Sequence, residues 1–278
     1  MIERILLMRI TSDYHMHSEH SGDSTAPMRS MIESSINKGL NEICFTEHMD
    51  LDYPIGPDNP EGFFEIDADT YREDFLKCRE EYKGKIDLHF GIELGLQPHI
   101  VKENTDFLNK YPFEFIIGSN HLCNHKDPYY PSFYEGRSSD DAIHEFFEST
   151  LENIKYFHNF DVLGHLDYIV RYLPNPDDYN FQNFSDIIDE ILNILISENK
   201  GLDVNTKSFQ SGMNDPNPCI GILARFYELG GRIITFGSDA HKPEHIAYDF
   251  ERARQTALKA GFTSYCTFAD RKPVFHDL

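Results

Sequence analysis

The chain has 278 residues and carries 47 Asp and Glu against 25 Lys and Arg, which gives a formal net charge of -22 at pH 7. A surface this acidic repels nucleic acid and anionic membranes, but bound divalent cations can still attract an anionic small molecule. The five cysteines are scattered and form no Cys-x-x-Cys pair, and Met1–Ile10 lacks an export pattern, which together favour a cytoplasmic protein. No apolar run reaches the roughly 18 residues that a membrane-spanning helix needs, so we expect no membrane span.

Strand-like and helix-like segments alternate along the whole chain. The strand-like segments are short and continuously apolar, which is typical of strands buried on both faces. In chain order they are Ile10–Tyr14, Glu42–Thr46, Ile86–Leu94, Phe113–Ser119, Asp161–Gly164, Leu202–Asn205 and Ile233–Gly237, followed by a terminal strand-like segment, Phe262–Phe268. The predicted helices are Pro27–Lys38, Asp69–Lys83, Pro98–Lys110, Asp140–His158, Ser185–Asn199, Pro218–Leu229 and His245–Ala260.

Seven successive βα steps with buried parallel strands predict an α/β fold, namely a distorted seven-stranded (β/α)7 TIM-like barrel. Such a barrel uses about 250 residues. Because no repeat, low-complexity tract or linker divides the chain, we expect residues 1–278 to form one domain. The C-terminal ends of parallel barrel strands lie on one face, which is where functional side chains belong.

Metal-binding residue types stand at the ends of the predicted strands. His15 and His17 are two positions apart, so both side chains leave the same face of the first strand. Asp239 and His241 repeat this spacing after the last strand of the barrel. Three divalent ions need about nine protein ligands, at roughly three each. The sequence offers nine: His15, His17, Asp23, His48, Glu93, His121, His165, Asp239 and His241. Imidazole and carboxylate ligands without thiolates indicate Zn, Mn or Fe.

The order of these motifs resembles the polymerase and histidinol phosphatase (PHP) superfamily. The matching motifs are His15-Met16-His17-Ser18 with Asp23, Cys44-Phe45-Thr46-Glu47-His48, Gly91-Ile92-Glu93, Gly118-Ser119-Asn120-His121, Gly164-His165, Asp203-Val204-Asn205-Thr206 and Ser238-Asp239-Ala240-His241. The resemblance covers nearly the whole chain and implies a distorted seven-stranded barrel with a trinuclear metal site. Within the superfamily the chain looks most like stand-alone histidinol-phosphate phosphatases, which implies a metal-dependent phosphomonoesterase that converts L-histidinol phosphate to L-histidinol and phosphate.

The resemblance also implies how the ligands share the ions. One ion would be held by His15, His17, Glu93 and Asp239, a second by Glu93, His121 and His165, and a third by Asp23, His48 and His241. The attacking group would be a metal-bound water held by Glu93, His121, His165 and Asp239.

Candidate substrate contacts lie outside the ligand set: Arg171, Arg137, Lys207 and His20. Guanidinium groups suit paired contacts to phosphate oxygens, although each of these side chains can also be a solvated surface group. Two other functions stay open, namely a PHP-type phosphoesterase acting on another small phosphate ester such as a nucleotide, and a metal-binding protein without catalysis. The net charge counts against nucleic acid but not against a mononucleotide. Storing metal does not require ligands from six strand ends.

Overall fold

The structure, a computed structural model, describes residues 10–173, 175 and 179–278, so that most of Met1–Ile10 lies outside the described residues. The strands are β1 (Ser12–Asp13), β2 (Glu42–Met49), β3 (Asp87–Gly95), β4 (Phe115–Ser119), β5 (Val162–Leu163), β6 (Gly201–Asn205), β7 (Ile234–Gly237), β8 (Ser264–Ala269) and β9 (Lys272–Asp277). The α-helices are α1 (Met28–Lys38), α2 (Ala68–Glu81), α3 (Val101–Leu108), α4 (Ser139–Tyr156), α5 (Ser185–Ser197), α6 (Lys207–Gln210), α7 (Ile220–Glu228) and α8 (Phe250–Ala260).

The first seven strands form one parallel sheet in which each strand pairs with the next one along the chain. The sheet then closes on itself, because the backbone N–H of Tyr14 donates to the carbonyl of Phe236 at 2.9 Å. Further along the same seam the N–H of Asp239 donates to the carbonyl of His15 at 2.7 Å, and a parallel bridge follows. The predicted fold is therefore confirmed as a nearly closed, seven-stranded parallel barrel.

The helices pack on the outside of the barrel through apolar stripes. In α5 the residues Ile188, Ile191, Leu192 and Leu195 are fully buried, and their spacing places them on one side of the helix. Strands β4 and β6 are buried at every position, since helices cover one face and the barrel interior the other. This double burial explains why the strands read as continuous apolar runs.

The N-terminal end of the barrel is closed by an antiparallel hairpin of β8 and β9. The hydroxyl of Tyr14 donates to the carbonyl of Phe268 at 3.2 Å, inside a small apolar cluster with Cys44 and Phe115. Arg271, in the hairpin turn, donates to Asp161 just before β5 at 2.6 Å. The metal-binding residue types are thus left at the opposite, C-terminal end.

The structure differs from the predicted elements in three places. The terminal strand expected at Phe262–Phe268 is present as β8, but it pairs with a further strand, β9, which was not predicted because it is largely exposed and carries no apolar run. The helix predicted for Pro98–Lys110 is a 3-10 turn at Pro98–Ile100 followed by α3. The short helix α6 was not predicted. Among the described residues, no helix has both the length and the apolar character that crossing a membrane needs.

Candidate metal centre

The barrel brings all nine predicted ligands to its C-terminal end. His48 and Glu93 are register partners in the neighbouring strands β2 and β3. The ligands after β1, β4, β5 and β7 follow their strand by two or four residues: His15, His17, His121, His165, Asp239 and His241. Asp23 reaches the others from the loop between β1 and α1. Parallel strands that end on one face therefore explain how ligands far apart in sequence converge.

The backbone around the centre is held in close and uncommon conformations. His165 and Asp239 have positive φ angles of 21° and 51°, which non-glycine residues seldom adopt. At Gly237 an added Cβ would lie 2.3 Å from the Cβ of His15, so that only glycine lets the two strands approach. The close approach brings the end of β7 beside the first ligand of the chain.

The carboxylate of Glu93 is the hub of the cluster. Its Oε2 atom lies 3.1 Å from Nε2 of His15 and 3.4 Å from Nε2 of His17. The same oxygen lies 3.2 Å from Nδ1 of His48. All four atoms are buried, and none makes a hydrogen bond within the described part of the chain. Because buried polar atoms are nearly always hydrogen-bonded, four that meet without such a bond fit a cation held between them.

The second oxygen of Glu93 faces a separate pair of imidazoles. Oε1 lies 3.0 Å from Nε2 of His165 and 3.2 Å from Nε2 of His121. Ser119, at the end of β4, donates a hydrogen bond of 2.7 Å to this oxygen and fixes the plane of the carboxylate. A carboxylate with different imidazoles at each oxygen has the arrangement needed to bridge two ions.

Two further carboxylates lie at the outer rim of the centre. Oδ2 of Asp23 is 2.9 Å from Nε2 of His241 and 3.7 Å from Nε2 of His48. Oδ1 of Asp239 is 3.6 Å from Nε2 of His17 and 3.5 Å from Nδ1 of His241.

At the centre, four sets of three described residues have ligand atoms that lie within 4.8 Å of one another. The sets are His17, His48 and His241; His15, His17 and Glu93; His15, His165 and Asp239; and His48, Glu93 and His121. They contain every expected ligand except Asp23 and they overlap, so they do not by themselves divide the ligands among three ions.

Burial and neighbouring charge prepare several of these groups for metal binding. Burial alone would raise the pKa of Glu93, but the surrounding imidazoles hold it well below its ordinary value. Burial would also raise the pKa of Asp239, which a nearby ammonium group and imidazole instead hold well below its usual range. Burial lowers the pKa of His165 to about 4. Burial and two adjacent imidazoles together hold the pKa of His17 well below its ordinary value. Ionised carboxylates and neutral imidazoles are the forms that bind metal ions.

The sequence reasoning did not assign a role to two carboxylates that orient predicted metal ligands. Oδ2 of Asp203 lies 2.8 Å from Nδ1 of His15, and Oδ1 of Asp50 lies 2.7 Å from Nδ1 of His121. In both rings the other nitrogen, Nε2, faces Glu93. Carboxylates of this kind fix the orientation and tautomer of a metal-binding imidazole. Asp50 stands two residues after His48, the same spacing that revealed the other ligands.

Two of the four candidate substrate contacts border the centre. The guanidinium of buried Arg171 donates to Asn217 at 2.6 Å, to Asn205 at 2.7 Å and to Asp239 at 3.3 Å. The ammonium group of Lys207 lies 2.9 Å from Oδ1 of Asp239. Both cations therefore lie beside Asp239, a predicted metal ligand.

The structure does not bring the other two candidates to the centre. Arg137 pairs with Glu145 and stacks on Phe133, with its guanidinium carbon 3.9 Å from the ring centroid. His20 lies against α2, where its Nε2 is 3.6 Å from Asp74. Neither residue lines the cavity described below. Arg137 was misplaced in the sequence reasoning because nothing in the sequence sets the path of a long loop.

A cavity of about 450 Å³ opens above the centre. Its lining combines six predicted ligands with Arg171 and Lys207, further acids, an amide and a group of aromatic side chains. The six ligands are Asp23, His48, Glu93, His121, His165 and Asp239, and the other residues are Asp50, Asp58, Asp127, Asn59, Tyr53, Phe63, Phe64, Tyr129, Tyr130, Tyr168 and Tyr172. The space is sufficient for a small phosphate ester.

A family model described as PHP domain matches residues 13–207. The chain belongs to the PHP domain family. The resemblance drawn from the motifs is thus confirmed, and the match covers β1 to β6 of this PHP barrel. The strand β7, with Asp239 and His241 beyond it, follows the matched segment.

Curated relatives of this PHP protein are histidinol-phosphatases. One from Lactococcus lactis subsp. lactis is 34% identical, and the match spans 94% of this chain and 95% of the relative. A probable histidinol-phosphatase from Clostridium acetobutylicum is 32% identical, over 95% of this chain and 96% of the relative. A crystal structure of histidinol phosphate phosphatase from Lactococcus lactis, complexed with zinc, L-histidinol and phosphate, superposes with a TM-score of 0.84 at 31% identity, over 95% of this chain and 98% of that one.

Proposed function

We propose that this protein is a metal-dependent phosphomonoesterase that hydrolyses L-histidinol phosphate to L-histidinol and phosphate. The observation that carries the proposal is the carboxylate of Glu93, whose two oxygens face five imidazoles at the open end of the barrel. The Lactococcus lactis relative, whose structure holds zinc, L-histidinol and phosphate, supports the choice of substrate.

We propose three divalent ions, with zinc as the first candidate and manganese or iron as alternatives. Bound divalent cations lower the pKa of water and offset the negative charge on phosphoryl oxygens. The ions would be held by His15, His17, Glu93 and Asp239; by Glu93, His121 and His165; and by Asp23, His48 and His241. The attacking water would lie among Glu93, His121, His165 and Asp239. Buried nitrogen and oxygen atoms that lack hydrogen bonds within the described part of the chain support the binding of cations at this centre.

The lining of the cavity suits both ends of this substrate. Arg171 and Lys207 place two cations beside the centre, where they would bind the phosphate dianion. The same cavity is lined by Asp127 and by the aromatic rings of Tyr53 and Tyr130. A carboxylate and aromatic faces are groups that bind an ammonium and an imidazole, which are the two polar groups of histidinol.

A second candidate substrate is another small phosphate ester, such as a mononucleotide. The ring of Tyr129 is exposed at the rim of the cavity and offers an aromatic face on which a base can stack. The centroid of this ring lies 5.3 Å from that of Tyr172, in an edge-to-face arrangement. Metal storage without catalysis fits less well, because an open cavity with two cations serves no purpose in holding metal alone.

The test is a hydrolysis assay with L-histidinol phosphate, p-nitrophenyl phosphate and AMP, each with and without a chelator. We expect the highest kcat/KM with L-histidinol phosphate, loss of activity in the chelator and recovery when zinc or manganese is restored. His17→Ala removes a buried ligand, and His158→Ala, an exposed imidazole paired with Glu198, is its matched control. Activity that persists in both the chelator and the His17→Ala variant contradicts the proposal. A higher kcat/KM with AMP would reassign the substrate.

We also propose that residues 1–278 act as one domain. The family match ends at residue 207, but β7 closes the barrel and is followed by two of the nine ligands, Asp239 and His241. The hairpin β8–β9 then covers the other end of the barrel. The centre is therefore incomplete without the C-terminal part of the chain.

A further inference from the structure

Three exposed side chains form a second cluster of metal-ligand types outside the cavity. Oδ2 of Asp52 lies 2.8 Å from Nε2 of His99 and 3.3 Å from Nδ1 of His125. The two imidazole rings are 4.9 Å apart, and the three ligand atoms lie within 4.8 Å of one another. None of these residues lines the cavity above the centre.

The cluster is built by the loops that follow three neighbouring strands. Asp52 follows β2, His99 follows β3 and His125 follows β4. Asp52 and His125 both have positive φ angles, of 58° and 59°, in the left-handed region that Asp and His enter more readily than most non-glycine residues. The loops thus bring the three ligand atoms to one position.

The surroundings of the cluster favour a cation. A groove beside it is lined by His99 and His125 together with Glu145, Glu148 and Glu152. The chain as a whole has a formal net charge of -22, so the mean field around the surface is also negative.

We propose that Asp52, His99 and His125 form a surface site for one divalent transition-metal ion, separate from the centre around Glu93. Two imidazoles and one carboxylate are a ligand set for Zn²⁺, Ni²⁺, Co²⁺ or Cu²⁺. The side chains are 45%, 56% and 61% exposed for His99, Asp52 and His125, so solvent completes the coordination. A bound ion ties together the loops after β2, β3 and β4. The proposal does not depend on the proposed function.

The same loops also contribute to the cavity. Tyr53, next to Asp52, donates a hydrogen bond to Asp127, two residues after His125, and both line the cavity. This hydrogen bond joins the loops after β2 and β4 without an ion, so the cavity does not depend on occupation of the surface cluster.

The test compares zinc binding by the zinc-loaded full chain and by a His99→Gln, His125→Gln double variant, using equilibrium dialysis with metal analysis and calorimetric titration. We expect the unmodified chain to bind one more zinc ion than the double variant, and each single substitution to weaken this binding by roughly tenfold or more. The matched control is His158→Gln, which removes an exposed imidazole 2.8 Å from one carboxylate, that of Glu198, and is expected to change nothing.

Zinc isotherms that are the same for the unmodified chain and the double variant would overturn the proposal. The proposal would also be overturned if the His158→Gln control lost the additional zinc ion as the double variant does. The hydrolysis assay on the double variant separates this outcome from a failure of the proposed function. The two substituted residues lie outside the cavity. The hydrolytic activity of the double variant is therefore expected to match that of the unmodified chain.

Discussion

Asp203 forms a hydrogen bond with the imidazole of His15, with its Oδ2 atom 2.8 Å from Nδ1 of the ring. Both side chains are fully buried. The opposite ring nitrogen, Nε2, therefore points at Oε2 of Glu93, 3.1 Å away. The position of His15, the first predicted ligand in the chain, is thus set by a residue on β6, on the far side of the barrel seam.

Replacement of this carboxylate by an amide tests its positioning role. In Asp203→Asn an oxygen can still accept the hydrogen bond, but the negative charge that orients His15 is lost. We expect roughly 10- to 100-fold weaker metal affinity, with kcat largely recovered at saturating metal. Activity measured against buffered free zinc checks this. The matched control is Asp87→Asn, at the exposed start of β3, and an equal shift in both variants contradicts the positioning role.

Loss of the carboxylate that we propose as the bridge, Glu93, has a larger expected effect. Glu93→Gln keeps the size of the side chain but removes the charge that faces imidazoles on both of its oxygens. Because a ligand matters more than the groups that orient it, we expect kcat to fall by at least ~100-fold and bound metal to decrease. Metal analysis and the hydrolysis assay measure the two effects. The control is Glu42→Gln, at the first position of β2 and so at the other end of the barrel, and it is expected to keep both its kcat and its bound metal.

Arg171 is expected to act on substrate binding. Lysine at this position keeps the charge but loses the planar donors that now reach Asn217 and Asn205. Loss of charge-assisted hydrogen bonds predicts an increase in KM of about tenfold and weaker inhibition by inorganic phosphate. In Arg137→Lys, which lies away from the cavity beside Glu145, neither quantity should change. An unchanged KM in Arg171→Lys would remove it from the substrate contacts.

Metal binding should release protons at neutral pH. In the metal-free protein, burial would lower the pKa of His48, but Asp23 and Glu93 raise it to about 9. The pKa of His121 is likewise raised well above its ordinary value, against the effect of burial, by Asp50 and Glu93. These imidazoles are protonated at pH 7 and must lose the proton to bind a metal ion.

Zinc affinity is accordingly expected to rise with pH up to about 9, above which His48 no longer carries the competing proton. Calorimetric titrations in two buffers of different ionisation enthalpy count the protons, and we expect more than one for each chain. For the metal-free fold the sign is the opposite. A histidine whose pKa is raised by folding stabilises the protein below pH 6.5, and this contribution is lost as the pH rises through about 9. Zinc binding without proton release contradicts this account.

Most of the fold, and the gathering of the nine candidate ligands at one end of the barrel, could be predicted from the sequence because both depend on local patterns. Buried parallel strands appear as continuous apolar runs, and a ligand two or four residues beyond a strand end reaches the mouth of the barrel. The repeated spacing of His15 with His17 and of Asp239 with His241 made the metal centre visible in the sequence.

The remaining features depend on contacts that no local pattern records. Asp203 was quoted only as part of a motif, and its role appears when β6 lies beside His15. Arg137 and Arg171 look alike in sequence, but one pairs with Glu145 and the other reaches Asp239. The strand β9 was missed since most of its residues are exposed. Loop paths and exposed strands are set by tertiary packing.

The central claim is that one carboxylate on β3 joins several metal ions at the mouth of the barrel. The most direct measurement is the anomalous scattering at the zinc edge from crystals of the zinc-loaded protein. We expect three peaks among the nine ligands, two of them about 2.0–2.2 Å from the carboxylate oxygens of Glu93. A single peak, or peaks that do not contact Glu93, would contradict the account.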